Sequence, residues 1–187
     1  MAGNSPEVRI KKSLNLNAVV ISASWHPEIC QSLVDGAVKG FKSAGISTIQ
    51  HRKVAGSFEL PLAAQLAFDS GLDIAVVVGL VLRGETPHFD YVCQGVTSGI
   101  MQVSLSRSKP IGFGVLMCDT IEQAKARAGF PDSFEDKGFD SAIAALSILR
   151  LVTDREAFSY SCHYLLPTNG GQVDLFGQVR LVLIHNP

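Results

Sequence analysis

Ile74–Leu82, Ile-Ala-Val-Val-Val-Gly-Leu-Val-Leu, is the longest unbroken apolar run in the chain. A strand with apolar side chains on both faces of its pleat must be covered on both sides, as a parallel strand between two layers of helices is. A strand with one wet face would alternate apolar and polar residues instead. The flanking pattern agrees with the covered strand. Ala18–Ile21 is a shorter apolar run, and Glu28–Ala44 follows with Ile29, Leu33, Val34, Ala37, Val38 and Phe41 at helical spacing, closed by Gly45. Ile46–Val54 is rich in β-branched residues, with Ile46, Thr48, Gln50, Arg52 and Val54 on one side of the alternation, and reads as a partly polar strand. Leu60–Phe68 reads as a short helix, Phe89–Leu105 as a longer one and Ile111–Met117 as a strand. Thr120-Ile121-Glu122-Gln123 has the form of a capping box opening a helix that ends at Gly129, and a last helix is expected over Gly138–Leu151. Strands and helices in alternation predict an α/β fold: a three-layer αβα sandwich around a central, mostly parallel, four-stranded sheet with right-handed crossovers.

Residues 1–17 are polar and are expected to form a flexible arm, with the domain spanning 18–152. Residues 153–187 form an atypical C-terminal tail, in which the apolar stretches Tyr160–Leu166 and Val173–Ile184 flank Pro167-Thr168-Asn169-Gly170-Gly171. That pattern fits a hairpin, and it fits a disordered segment equally, since an isolated hairpin is only marginally stable.

Composition narrows the function classes. A 47% hydrophobic share over 187 residues is enough for a buried core, while a formal net charge of −1 with scattered lysines and arginines argues against nucleic acid as a partner. No apolar stretch reaches the roughly 18 residues of a membrane span, and the polar start has no apolar centre of the signal-peptide kind, so a cytoplasmic protein is expected. Cys30, Cys93, Cys118 and Cys162 are far apart, which suits reduced, mostly buried thiols rather than a metal site.

In an open parallel sheet, ligands bind at the carboxyl ends of the strands, so the strand-to-helix turns carry the candidates. These are Ser24-Trp25-His26-Pro27, Gly56-Ser57-Phe58-Glu59, Arg83 to His88, and Cys118-Asp119-Thr120. In the third turn, Thr86-Pro87 has the form of a helix N-cap followed by proline at the first helical position. Free backbone N–H groups, the Gly84 backbone and the Thr86 hydroxyl would then converge at a positive helix end, which favours a phosphate. The positive end of a helix disfavours an imidazolium, so a neutral His88 ring able to act as a proton acceptor is expected there. The plainer alternative is a helix start with a surface histidine. Trp25, the only tryptophan, can stack a flat ligand or pack in the core; Glu59 can accept from ligand hydroxyls or complement a helix dipole; Arg127 sits near the end of its helix, where a cation is favoured in any case.

Three stretches then carry a resemblance: Val54-Ala55-Gly56-Ser57-Phe58-Glu59-Leu60-Pro61, Gly84-Glu85-Thr86-Pro87-His88-Phe89-Asp90-Tyr91, and Phe113-Gly114-Val115-Leu116 with Thr120-Ile121-Glu122-Gln123-Ala124 and Arg127-Ala128-Gly129. In this order, across nearly all of Ala18–Leu151, they resemble the lumazine synthase family. The resemblance implies a flavodoxin-like sheet and the cofactor-free condensation of 5-amino-6-(D-ribitylamino)uracil with 3,4-dihydroxy-2-butanone 4-phosphate. The product would be 6,7-dimethyl-8-ribityllumazine, with phosphate and water released. It further implies that Trp25 and the adjacent copy's Phe113 flank the pyrimidine, and that Ser57, Phe58 and Glu59 line the ribityl chain. Val81 and Leu82 would meet the ring edge through their backbone, Gly84, Glu85 and Thr86 would face the phosphate, and His88 would shuttle protons. Arg127 would reach the phosphate, and Lys137 the uracil and ribityl end, from the neighbouring copy. A site shared in this way requires a homo-oligomer, and the family's unit is a pentamer.

Two departures stand out. The link Phe130–Asp136 is longer than the tight glycine-containing link of members that assemble shells and lacks the extra lysine those often carry, which favours a free pentamer or a pentamer pair with more of the phosphate charge resting on Arg127. The tail after Leu151 has no counterpart in the family. Two other α/β classes fit less well: Ser22-Ala23-Ser24-Trp25 lacks the acidic cluster of a phospho-acceptor module, and Trp25-His26-Pro27 stands where a flavin carrier would have a hydroxyl-rich phosphate loop.

Overall fold

A computed structural model describes residues 16–153; the expected arm up to residue 15 and the tail from residue 154, Cys162 included, lie outside the described residues. The element order is β1 (Asn17–Ala23), α1 (Pro27–Ser43), β2 (Thr48–Val54), α2 (Leu60–Asp69), β3 (Ile74–Leu82), α3 (His88–Arg107), β4 (Ile111–Cys118), α4 (Ile121–Lys125) and α5 (Lys137–Thr153). A 3₁₀ turn, Ser57–Glu59, leads into α2. The sheet order is β2-β1-β3-β4 and all three pairings are parallel, so the sheet is wholly rather than mostly parallel.

The apolar run of β3 behaves as its sequence requires. Ile74, Val76, Val78 and Leu80 pack into one core with Leu33, Ala37 and Phe41 of α1 and Ala142, Ala145 and Leu146 of α5. Ala75 and Val77 enter a second core with Leu60, Ala64 and Phe68 of α2 and Val96, Ile100 and Val103 of α3. β1 divides in the same way, with Ala18 and Val20 on the α1 side and Val19 and Ile21 on the α2 side. Each fully buried valine or isoleucine adds roughly 1.5–3 kcal/mol relative to exposure, which is why these two strands are central. Edge strand β2 alternates between exposed and half-buried residues, in keeping with its polar sequence. Ile46, expected on that strand, lies before it and is buried with its N–H on the Phe41 carbonyl. At the other edge, α5 approaches β4 over glycine: a Cβ at Gly112 would meet the Ser141 carbonyl oxygen, and one at Gly114 would lie 2.9 Å from Val78 Cγ1.

α4 is shorter than its sequence suggests. Thr120 Oγ1 accepts the Gln123 N–H at 3.3 Å, while Gln123 Oε1 accepts the N–H of Asp119 at 2.9 Å, one residue ahead of the expected box partner. After Lys125 the chain turns: the N–H groups of Phe134 and Glu135 both reach the Ala126 carbonyl, and Ala128 and Asp136 form an isolated antiparallel bridge. Asp136 Oδ1 then accepts the Phe139 N–H at 2.9 Å and caps the start of α5. The long link is thus an ordered turn. Cys30, Cys93 and Cys118 are free thiols, and burial is the main cause raising the pKa of each.

Candidate active site

The strand order reverses between β1 and β3, since the chain leaves β1 toward β2 on one side and returns to β3 on the other. Such a switch point opens a crevice beyond the carboxyl ends of the strands. A cleft of about 790 Å³ lies there, lined by Trp25 and His26 after β1, Gly56–Glu59 before α2, Leu80–Leu82 at the end of β3, and Gly84, Thr86, His88, Phe89, Tyr91 and Val92 around the start of α3. Of the expected site residues, Trp25, Ser57, Phe58, Glu59, Val81, Leu82, Gly84, Thr86 and His88 meet in this one cleft.

Trp25 is 69% exposed, which excludes core packing. Its turn is fixed from behind by Cys30, whose Sγ donates to the Trp25 carbonyl at 3.1 Å. Phe58 is 61% exposed, with its ring edge against α3 at Gly95, where a Cβ would lie 2.7 Å away. Glu59 is partly committed: its Oε2 accepts the Gly56 N–H at 2.8 Å and holds the turn. Ser57 is the reverse case, because its Oγ is buried and has no hydrogen-bond partner among the described residues. Gly79 makes room for that hydroxyl, as a Cβ there would lie 2.7 Å from it. A buried unpaired hydroxyl on a cleft wall is an atom that a ligand can satisfy.

The third turn differs from its sequence reading in one respect. The helix cap is Pro87, not Thr86, and no side chain caps α3; the Pro87 carbonyl receives the N–H groups of Asp90 at 3.0 Å and Tyr91 at 3.4 Å. Thr86-Pro87 matches the local cap signature, but the helix begins one residue later, at His88. Among the described residues the Thr86 hydroxyl is then unengaged, and no acceptor is bound to the N–H of Gly84, Glu85, Thr86, His88 or Phe89. A run of free amides ahead of a 20-residue helix is a cradle for an anion.

Glu85 belongs to this loop without lining the cleft. Phe113, Arg127 and Lys137 do not line it either. Phe113 sits in β4 opposite Val77 and is 39% exposed. Arg127 lies just beyond α4, with Nη1 donating to the Gln123 carbonyl at 2.9 Å, as a cation at a helix end does, and Nε 3.8 Å from Glu135. Lys137 Nζ lies 3.3 Å from Glu135 and 3.2 Å from Asp140. Burial pulls the Lys137 pKa down, but its bonds to Asp140 and Glu135 together leave it raised. The cleft also contains residues to which the sequence reading gave no role, His26 of the first candidate turn among them. His26 has a left-handed backbone, φ 52°, uncommon for a non-glycine residue, and its carbonyl accepts the first N–H groups of α1. Nothing in the sequence announces that conformation, since a residue before proline is expected to be extended. Tyr91 and Val92 were findable, because three and four residues after His88 share its helix face.

An open-sheet α/β fold with an aromatic-rimmed cleft at its switch point, carrying a few convergent polar groups, defines a small-molecule binding protein of the kind that also serves catalysis. Comparison with known proteins identifies which kind. The sequence model described as 6,7-dimethyl-8-ribityllumazine synthase matches residues 15–153. A protein of that name from Streptomyces coelicolor is 46% identical over 153 residues, covering 80% of this chain and 95% of its own length. One from Pseudarthrobacter chlorophenolicus is 50% identical over 133 residues, 71% of this chain and 81% of its own. One from Frankia casuarinae is 45% identical over 142 residues, 75% and 88%. The chain belongs to the 6,7-dimethyl-8-ribityllumazine synthase family.

Proposed function

We propose that this protein condenses 5-amino-6-(D-ribitylamino)uracil with 3,4-dihydroxy-2-butanone 4-phosphate to 6,7-dimethyl-8-ribityllumazine, the lumazine-forming step of riboflavin biosynthesis, without a cofactor. Joining an amine to a ketone with loss of water, and expelling a phosphate, requires proton transfer and groups that hold an anion. The observation that carries the reading is a single cleft lined by both: His88 beside Gly84 and Thr86, whose amides are free among the described residues. In this reading Trp25 stacks the pyrimidine, the backbone of Val81 and Leu82 meets its edge, and Ser57, Phe58 and Glu59 line the ribityl chain. His88 moves the protons, and most of the rate comes from holding two substrates in register.

The same reading makes the protein a homo-oligomer, a pentamer or a pentamer pair, acting in the cytoplasm. Among the described residues no lysine or arginine lines the cleft, so its amides face a phosphate dianion without a cation. Arg127, with Phe113 and Lys137, would come from the adjacent copy. An exposed apolar face supports association: Leu62 and Leu66 of α2 and Met101 and Leu105 of α3 are all more than half exposed. The division into arm (1–17), domain (18–152) and C-terminal extension (153–187) is part of this proposal.

The test is an absorbance assay for lumazine formation from the two substrates by the full chain. Turnover that needs both substrates is expected, and a folded oligomer with none would refute the enzyme reading. Analytical ultracentrifugation checks the assembly: a fully active monomer would rule out a shared site.

A further inference from the structure

Arg83 directly follows β3 but does not line the cleft. Its Nε donates to Asp119 Oδ1 at 2.6 Å, its Nη1 to Asp90 Oδ1 at 3.4 Å, and its guanidinium carbon lies 4.0 Å from the centre of the Phe89 ring. Its own N–H donates to the Cys118 carbonyl at 2.9 Å, which carries the β3–β4 pairing one residue further. One residue thus joins three elements: the end of β3, the first turn of α3, and the turn between β4 and α4. Between Arg83 and Phe89 lie the free amides, and that segment has little else to shape it. A Cβ at Gly84 would meet nothing within 4 Å, and Thr86 makes no cap. Asp119 is itself held, through its N–H to Gln123.

We propose that Arg83 is a positioning residue: held by Asp119 and Asp90 over the Phe89 ring, it staples both ends of segment 84–88 and so sets the amides and His88 in the geometry that receives a phosphate. The inference rests on the phosphate role of that segment. Direct phosphate binding by Arg83 is disfavoured by two carboxylates that already claim its charge, and guanidinium stacking on a ring fixes its plane. Both ion pairs are exposed, at 47% for Arg83 against 65% for Asp90 and 62% for Asp119, so their loss should loosen the loop and leave the fold intact.

The experiment uses the full-length assembled protein and the variants Arg83→Ala, Arg83→Lys, Asp119→Asn and the double Arg83→Ala/Asp119→Asn. It measures kcat, the KM of each substrate, and the Kd of inorganic phosphate by calorimetry. Arg83→Ala should raise the KM of the butanone phosphate and the Kd of inorganic phosphate on the order of 10-fold, within the up to about 100-fold that a misplacement near 1 Å causes. The KM of the uracil substrate and the melting temperature should barely move. Arg83→Lys should recover only part, since one ammonium cannot serve two carboxylates and stack on a ring. Asp119→Asn should shift phosphate binding in the same direction, and the double variant should be no worse than Arg83→Ala. An unchanged phosphate Kd in Arg83→Ala overturns the staple, and so does an Asp119→Asn protein that binds phosphate as well as the parent, which would make Arg83 a direct ligand. A parent that binds phosphate without turnover sinks the condensation reading alone, and the phosphate titration then decides the staple. A parent that binds no phosphate overturns both.

Discussion

Replacing Ser57 by alanine should stabilise the ligand-free protein and weaken its ligand complex. The Ser57 Oγ is buried without a partner among the described residues, and a hydroxyl so placed costs about 1–3 kcal/mol of lost hydration. Alanine removes that cost and leaves a gap of only one oxygen atom. For a chain of this length each kcal/mol moves the melting temperature by about 2–4 °C, so Ser57→Ala should melt a few degrees above the parent. In the complex the sign reverses. A neutral hydrogen bond to a ribityl hydroxyl is worth about 0.5–1.5 kcal/mol, so the KM of the ribityl-bearing substrate should rise by roughly 2-fold to 10-fold. Calorimetric melting at fixed protein concentration, with and without that substrate, reads both signs in one experiment. Gly79 supplies an internal control. A Cβ there would lie 2.7 Å from Ser57 Oγ and 3.2 Å from the Ala23 Cβ, so Gly79→Ala alone should cost about 1–3 kcal/mol by overpacking. In the Ser57→Ala background only the milder Ala23 contact remains, and the penalty should shrink. A Ser57→Ala protein that melts at or below the parent would refute the argument, because the hydroxyl would then have been satisfied, for instance by water. Additive penalties for Gly79→Ala and Ser57→Ala would show that the two positions do not meet.

Four further outcomes are expected. His88→Ala should slow lumazine formation by only about 10-fold to 100-fold, at or below the usual general acid–base contribution, and a complete loss of turnover would show that positioning does not carry most of the rate. Arg127→Ala should strongly raise the KM of the phosphate substrate in steady-state kinetics, and an unchanged dependence would remove Arg127 from the site. The hydrogen bond from Arg107 holds the Asp69 carboxyl below the usual aspartate range, so its contribution is fully present above the ordinary aspartate pKa and disappears as pH falls through the lower folded value. Asp69→Asn should therefore melt slightly below the parent near neutrality and together with it in strong acid; a gap that widened on acidification would refute the sign. Truncation after Thr153 followed by a sizing run tests whether the extension governs assembly, and an unchanged particle size would exclude that role.

The sheet was legible because its signal is local. A run such as Ile74–Leu82 buries side chains toward α1 and α5 on one face and α2 and α3 on the other, and no neighbour needs to be known to infer that two layers must exist. Element ends were less legible, because caps are decided by competition between adjacent residues. Thr86-Pro87 satisfies the cap pattern as written, yet Pro87 takes the cap position and His88 opens the helix. The helix expected from Thr120 to Gly129 gives way after Lys125, where the Ala126 carbonyl accepts from Phe134 and Glu135, partners whose return no periodicity within 120–129 announces.

The site divides along the same line. Trp25, the Ser57–Glu59 turn, Val81, Leu82 and His88 could be inferred to converge, because a parallel sheet brings all of its strand ends to one edge, and the turn after each strand carries the candidates. That argument holds within one chain and stops there. Arg127 and Lys137 follow no strand end into the cleft, and their side chains are engaged with Glu135, which lies within 3.8 Å of one and 3.3 Å of the other. Spacing alone gives such a pair a structural reading, two cations and a carboxylate closing a turn. Only the family resemblance gives them a ligand. The two readings differ physically: a structural pair should matter for melting in the isolated chain, whereas cations presented to a neighbour's phosphate should matter for substrate dependence only when the copies are assembled. His26 lies between these cases: its place in the turn after β1 was legible, but its left-handed backbone before a proline was not.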